Sequence, residues 1–139
     1  MRIAIDAMGG DFAPREVVRG TLEAARHVDA ASRLILVGDD AKVREELHGR
    51  PLPDKVELRH ASESIGMDET PALAVRRKKD SSISRAIDMV KHHDADAMVS
   101  AGNTGAVVVA STLKLRTLEG VLRPAIATVM PTQGRPLVL

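Results

Sequence analysis

Ile3-Ala4-Ile5-Asp6-Ala7-Met8-Gly9-Gly10-Asp11 carries an apolar triplet straight into a polar turn with paired glycines. Pro14 follows, and then an apolar stripe at Val18, Leu22, Ala25 and Val28. A short buried strand, a tight loop and a helix with proline in its first turn account for these three parts. The same unit recurs along the chain. Leu34-Ile35-Leu36-Val37 reads as a second strand stopped by Gly38, with Asp39 or Asp40 capping a helix that ends near Gly49. Pro51 and Pro53 mark a turn, and Val56-Glu57-Leu58-Arg59 is a weaker third strand.

Residues 61–70 read as a long polar loop. Thr70-Pro71 then gives an N-cap and a first helical position for a short helix ending in Arg76-Arg77-Lys78-Lys79. Asp80, Ser81 or Ser82 caps the next helix, whose Ile83, Ala86, Ile87 and Val90 share one face. Ala97-Met98-Val99 is a strand, and a helix runs from about Thr104 to Leu115. That helix is apolar on nearly every side, which predicts a central, buried position. Ala125 to Met130 is expected to be another strand, and Pro136-Leu137-Val138-Leu139 the start of one more. A strand with no turn after it suggests a chain that stops mid-fold. The alternation predicts an α/β protein of three αβα layers, its mostly parallel sheet covered on both faces. Residues 1–139 are expected to be a single α/β domain of a longer chain.

Composition narrows the function classes. The 139 residues suit one compact domain, and 44% hydrophobic with 28% charged is an ordinary globular balance. A net charge of +1 gives no global field for nucleic acid, and one Phe with no Trp or Tyr gives no platform for base stacking. Zero cysteines exclude a disulfide framework, a thiolate zinc site and a cysteine nucleophile, and fit a reducing cytoplasm. Only three apolar residues separate Met1-Arg2 from Asp6, so no signal peptide is read there. The longest apolar run, Ala106 to Ala110, is far too short to span a bilayer. His92 and His93 end a helix, while His27, His48 and His60 are isolated, so neither a metal site nor a Ser-His-Asp triad can be assembled. No cofactor is expected.

Three segments carry candidate chemistry, because ligands of α/β sheets bind beyond the carboxyl ends of the strands. Asp6, Gly9, Gly10 and Asp11 form either an ordinary turn, with Asp11 helping the helix start, or a cleft wall. Their spacing is neither G-x-G-x-x-G nor a P-loop. Gly102, Asn103, Thr104 and Gly105 stand at a helix N-terminus, where free N–H groups and the dipole favour an anion and no bulky side chain blocks the approach. The bland alternative is a capped turn packed on the sheet. Lys78 and Lys79, with Asp80, Ser81 and Ser82, join a cationic helix end to the next cap. This third segment is either a solvated surface run or a site facing a phosphate or an acidic protein.

These motifs resemble, in order and spacing, the phosphate acyltransferase family known as PlsX. The resemblance rests on Ile3 to Asp11, Ile65 to Pro71, Arg76 to Ser82, Val99 to Ala106, Arg123-Pro124-Ala125-Ile126-Ala127 and Met130-Pro131-Thr132. It covers the whole chain, which is under half of the family's usual length. It implies a fold similar to phosphotransacetylases and isocitrate-type dehydrogenases, and transfer of an acyl group from acyl carrier protein to inorganic phosphate. It also implies a homodimer, peripheral membrane association, and a membrane glycerol-3-phosphate acyltransferase that consumes the acyl-phosphate. By this resemblance Asn103, Thr104 and Lys79 are the expected catalytic residues. Asp6, Gly9, Gly10, Asp11, Lys78, Asp80, Ser81, Ser82, Gly102 and Gly105 are the expected substrate contacts. Competing readings are a phosphotransacetylase using acyl-CoA and a non-catalytic anion- or nucleotide-binding module.

Overall fold

β1 (Arg2–Asp6) and β2 (Arg33–Gly38) pair in parallel, with Ile3 opposite Leu34 and Ile5 opposite Leu36. β3 (Val56–His60) extends the sheet beyond β2, and β4 (Ala97–Val99) pairs with the other edge of β1, again in parallel. The order is therefore β3-β2-β1-β4. The computed structural model describes residues 1–131, 133–135 and 137–138.

Side-chain alternation sorts the layers. Leu34 and Leu36 of β2 pack with Val18 and Ala25 of α1 (Arg15–His27) and with Val43 of α2 (Asp40–Glu46). Ile35 and Val37 point the other way, into a cluster with Ala4 of β1 and Ala86 of α4 (Ser82–Lys91). A third cluster joins α4 to α3 (Pro71–Arg77) and α5 (Thr104–Lys114) through Ile83, Ile87, Ala74, Val75, Ala106 and Ala110. Burying Ile83 and Ile87 contributes about 1.5–3 kcal/mol each.

The chain winds outward from β1 over the α1–α2 face and returns past β1 to β4 over the α4 face. Right-handed crossovers in opposite directions must use opposite faces, so this order and these layers require each other.

Local chemistry sets the helix ends. Asp39 caps α2, its carboxylate accepting from the amides of Ala41 (3.0 Å) and Lys42 (3.2 Å). Ser81 caps α4, its hydroxyl accepting from the Ser84 amide at 3.4 Å. α3 starts on Thr70-Pro71, but the Thr70 side chain makes no cap bond. α1 also has no side-chain cap: Pro14 holds the cap position, and Asp11 is exposed at the start of the turn before it. The expected help from Asp11 is therefore absent, because a turn over residues 11–14 separates it from the first helical residue.

Two expectations need correction. α5 is not central: only Ala106 and Ala110 are buried, and Leu113 is 63% exposed. Its neighbours α3 and α4 cover one side only, the side where the alanines allow close approach. The strand expected over residues 125–130 shrinks to β5 (Val129–Met130), paired antiparallel with β6 (Leu137–Val138) away from the main sheet. Residues 125–128 are exposed and do not pair with the main sheet, and an unpaired apolar run gains nothing from extension. Of the strand start expected at 136–139, Pro136 and Leu139 lie outside the described residues, as does Thr132.

Candidate active site

The chain leaves β1 in one direction and returns to β4 on its other side, so the carboxyl ends of these neighbouring strands form the topological switch point. Ligand crevices of open α/β sheets form there. Two of the three sequence motifs sit at this point: the loop 6–11 after β1 and the turn 100–103 after β4.

The two loops are locked together. Asp6 is the last residue of β1 and is buried. Its Oδ1 accepts from the Met8 amide at 3.1 Å, and its Oδ2 accepts from the Ser100 hydroxyl at 2.7 Å. Ser100 Oγ in turn accepts from the Gly102 amide at 3.0 Å. A hydrogen-bond relay thus runs from Gly102 through Ser100 to Asp6. The glycines are required by close approach: a Cβ on Gly9 would lie 2.4 Å from Asp6 Oδ2 and 2.7 Å from the Gly102 nitrogen. Gly10, at φ +102°, lies in the left-handed region that glycine tolerates best.

Asn103 organises the start of α5. Its Oδ1 accepts from the Ala106 amide at 3.0 Å, the N-cap bond. Its Nδ2 donates to the carbonyls of Glu69 (3.0 Å), Gly66 (3.1 Å) and Met67 (3.4 Å). This buried side chain is therefore engaged by the protein at both ends, and it clamps the 66–69 loop over the helix start. The Thr104 and Gly105 amides have no acceptor among the described residues, and Thr104 is exposed. Those two N–H groups, the positive end of the helix dipole and small surroundings make a place for an anion. Gly105 also lets α3 approach, since a Cβ there would lie 2.6 Å from Pro71 Cγ.

The third motif forms a separate cluster joined to the first through the 66–69 loop. Lys78 Nζ donates to Glu69 Oε1 at 2.6 Å and to the Ser64 carbonyl at 2.7 Å. Glu69 also accepts from the Gly66 amide at 2.6 Å. The Lys78 bond, then the Gly66 bond, hold the Glu69 carboxyl below its ordinary range. Lys78 is thus turned into the loop and neutralised there. Asp80 accepts from both the hydroxyl (2.6 Å) and the amide (2.9 Å) of Ser62 and from Arg85. The Ser62 hydroxyl first, then its amide and Arg85, push the Asp80 carboxyl far below the usual carboxylate range. Ser81 and Ser82 are buried, and the Ser82 amide donates to the Glu63 carbonyl at 3.1 Å. Arg76, Arg77 and Lys79 are exposed and carry no ion pair among the described residues.

The structure therefore brings Asp6, Gly9, Gly10, Gly102, Asn103 and Gly105 together. It keeps Lys78, Asp80, Ser81 and Ser82 in a second, structurally engaged group, and leaves Asp11, Thr104 and Lys79 exposed. Sequence reasoning passed over Ser100 and Glu69. A buried aspartate at a strand end needs a donor, and Ser100 at the matching end of the neighbouring strand was the available one. A concavity of about 610 Å³ lies elsewhere, under α4, lined by Arg2, Glu57, Arg59, Arg85, Asp88 and Asp94 among others. It contains none of the candidate residues, and the switch point, where the unbonded amides are, is the better candidate. No described helix is long and apolar enough to cross a membrane.

Comparison with known proteins agrees with the motifs. The chain is 51% identical over 140 residues to a phosphate acyltransferase of Desulfitobacterium hafniense, a match covering 100% of this chain and 41% of the relative. It is 50% identical over 139 residues to that of Pelotomaculum thermopropionicum, covering 40% of the relative. It is 45% identical over 141 residues to that of a Nostoc species, covering 41%. The chain spans about two fifths of the length of these relatives. The family described as fatty acid synthesis protein matches residues 1–139 throughout, and the chain belongs to that family.

Proposed function

We propose that residues 1–139 are the N-terminal α/β part of an acyltransferase that moves a fatty acyl group from acyl carrier protein to inorganic phosphate. The product, acyl-phosphate, feeds phospholipid synthesis through a membrane glycerol-3-phosphate acyltransferase. The observation that carries this reading is the pair of unbonded amides, Thr104 and Gly105, opening α5 at the β1–β4 switch point. The names of the relatives support it.

The chemistry asks little of side-chain acids and bases. Phosphate is substantially dianionic near neutral pH and is itself the nucleophile. One of its oxygens attacks the thioester carbonyl, the C–S bond breaks, and the thiol sulfur leaves with the electron pair, its pKa of ~8.5 making it a good leaving group. What remains is to place the two reactants and stabilise an oxyanion, which preorganised N–H groups do. In this reading the Thr104 and Gly105 amides and the Thr104 hydroxyl receive phosphate or the oxyanion, and Gly102 shapes the turn that leads into them. Asn103 positions that backbone, and Lys79 supplies an unpaired cation. Asp6, Gly9, Gly10 and Asp11 form the facing wall, while Lys78, Asp80, Ser81 and Ser82 hold the 61–69 loop. The working enzyme is a cytoplasmic homodimer lying peripherally on the membrane.

The test is the full-length protein with acyl carrier protein thioester and phosphate, hydroxylamine trapping acyl-phosphate as a hydroxamate. Phosphate-dependent hydroxamate with carrier thioester preferred is the expected result. Preference for acyl-CoA moves the assignment to a phosphotransacetylase, and no hydroxamate from folded protein refutes acyl transfer.

A further inference from the structure

Arg15, Arg19, Leu22 and Arg26 follow one another along α1 at steps of four, three and four residues. They form one stripe of about three turns, roughly 16 Å long. Across a groove from it lie Glu46, His48 and Arg50, at the end of α2 and just beyond. This concavity of about 360 Å³ is continuous with one of about 220 Å³, the two sharing Leu22, Arg26 and Arg50. Val18 and Leu22 line the first, and Leu47, Pro51 and Pro53 the second. Four arginines outnumber the two lining glutamates, Glu23 and Glu46, together with Glu16 beside Arg15 and Arg19, so the rim is basic over an apolar floor.

The arginines are available. Arg15 meets Glu16 at 3.1 Å, Arg19 only approaches it at 3.9 Å, and Arg26 meets Glu23 at 2.8 Å. Their side chains are 63%, 82% and 74% exposed. Exposed pairs of this kind contribute little to stability, so an incoming carboxylate exchanges with them readily. α1 opens just after the 6–11 loop, which puts the Arg15 end of the groove on the same sheet edge as the switch point.

We propose that the α1–α2 groove docks an acidic amphipathic helix, that of the carrier protein delivering the acyl thioester. Carboxylates on such a helix meet the arginine rim while its apolar face covers Leu22, Pro51 and Pro53, as in other helix-in-groove contacts. The occupant rests on the carrier-donor reading above. The basic segment 76–79, the sequence's own candidate for carrier docking, is the competing surface: Lys78 is bound to Glu69 and Ser64, while Arg76, Arg77 and Lys79 stay exposed.

The test uses the full-length protein and fluorescently labelled holo-acyl carrier protein, with binding read by anisotropy. Arg19→Glu combined with Arg26→Glu is expected to weaken binding by about tenfold or more, and Arg76→Glu combined with Arg77→Glu by less than about twofold. In turnover, the groove variant raises KM for the carrier thioester and leaves KM for acyl-CoA unchanged. Both variants alter exposed side chains, and unchanged thermal melts confirm their folding. Loss of binding in the 76–77 variant alone, equal effects on both donors, or no binding by the parent protein overturns the docking site. Hydroxamate formation by the parent protein judges the reaction independently, so failure of the docking surface and failure of the acyl-transfer reading are told apart.

Discussion

Replacing Gly9 with alanine tests the contact between the two switch-point loops most directly. The new Cβ would stand 2.4 Å from Asp6 Oδ2, while ordinary contacts begin near 3.4 Å, so something must retreat by 1.0 Å. Backbone blocks the other direction, with the Gly102 nitrogen at 2.7 Å and its Cα at 3.0 Å. The carboxylate cannot move without stretching its bonds to Ser100 (2.7 Å) and Met8 (3.1 Å). Losing one charge-assisted bond costs about 1.5–3 kcal/mol, and overpacking adds about 1–3 kcal/mol. Reduced freedom of the unfolded chain returns up to about 1 kcal/mol. The net expectation is a loss of about 3 kcal/mol, or roughly 10 °C in Tm for a chain of this size. With no Trp or Tyr, the assay is urea and thermal unfolding followed by far-UV circular dichroism. Ser100→Ala removes the bond without adding bulk and should cost about 1.5–3 kcal/mol. Because both changes act on the same bond, the double variant should fall short of the sum. A Gly9→Ala loss below about 0.5 kcal/mol, or full additivity with Ser100→Ala, refutes the reasoning.

Asn103→Asp preserves the cap acceptor but replaces the donor facing three carbonyls with a carboxylate oxygen. It should destabilise by about 2–3 kcal/mol and raise amide exchange in residues 66–69, whereas a simple capping role would leave it nearly neutral. Gly20→Ala lies mid-α1 with nothing within 4 Å of the new Cβ, and should stabilise by about 0.5–1 kcal/mol in the same unfolding assay. Asp80 has a depressed folded-state pKa, so the unfolded chain takes up the proton first. Its contribution is complete above the ordinary carboxylate range and is lost as pH falls through that range and below. Acid unfolding curves of Ser62→Ala and Asp80→Asn should therefore show a shallower decline below ~pH 5 than the parent protein, and an unchanged slope would remove Asp80 as a source of acid sensitivity.

β1, β2 and β4 were legible as apolar runs ended by a glycine, an aspartate or a loop, and β3 more weakly, by the alternation of Val56 and Leu58 with Glu57 and Arg59. The helices were legible where a face repeats, as at Ile83, Ala86 and Ile87. Ala125 to Met130 misled because periodicity reports what a segment can bury, not whether it pairs with the sheet. α5 misled in the same way: an all-apolar helix states a capacity for burial, and only Ala106 and Ala110 are buried, with Val107 and Val109 partly covered. At the site, the glycine motifs and Asn103 were visible as small residues at a helix start. That Asn103 serves the 66–69 loop was not visible, since its partners are backbone carbonyls that any sequence supplies. Lys78 and Lys79 are adjacent and chemically alike, yet one is paired inside the loop and the other exposed. Only the third dimension separates them.

The Gly9–Gly102 contact has a consequence for how this region can be varied. Two main chains share one surface there, with Asp6 and Ser100 filling the space beside it, so these four positions offer no single-step route to a different side chain. A mutagenesis library that samples them one at a time will return only losses. One that samples Asp6, Gly9, Ser100 and Gly102 together explores the crevice, because in this fold they amount to a single choice.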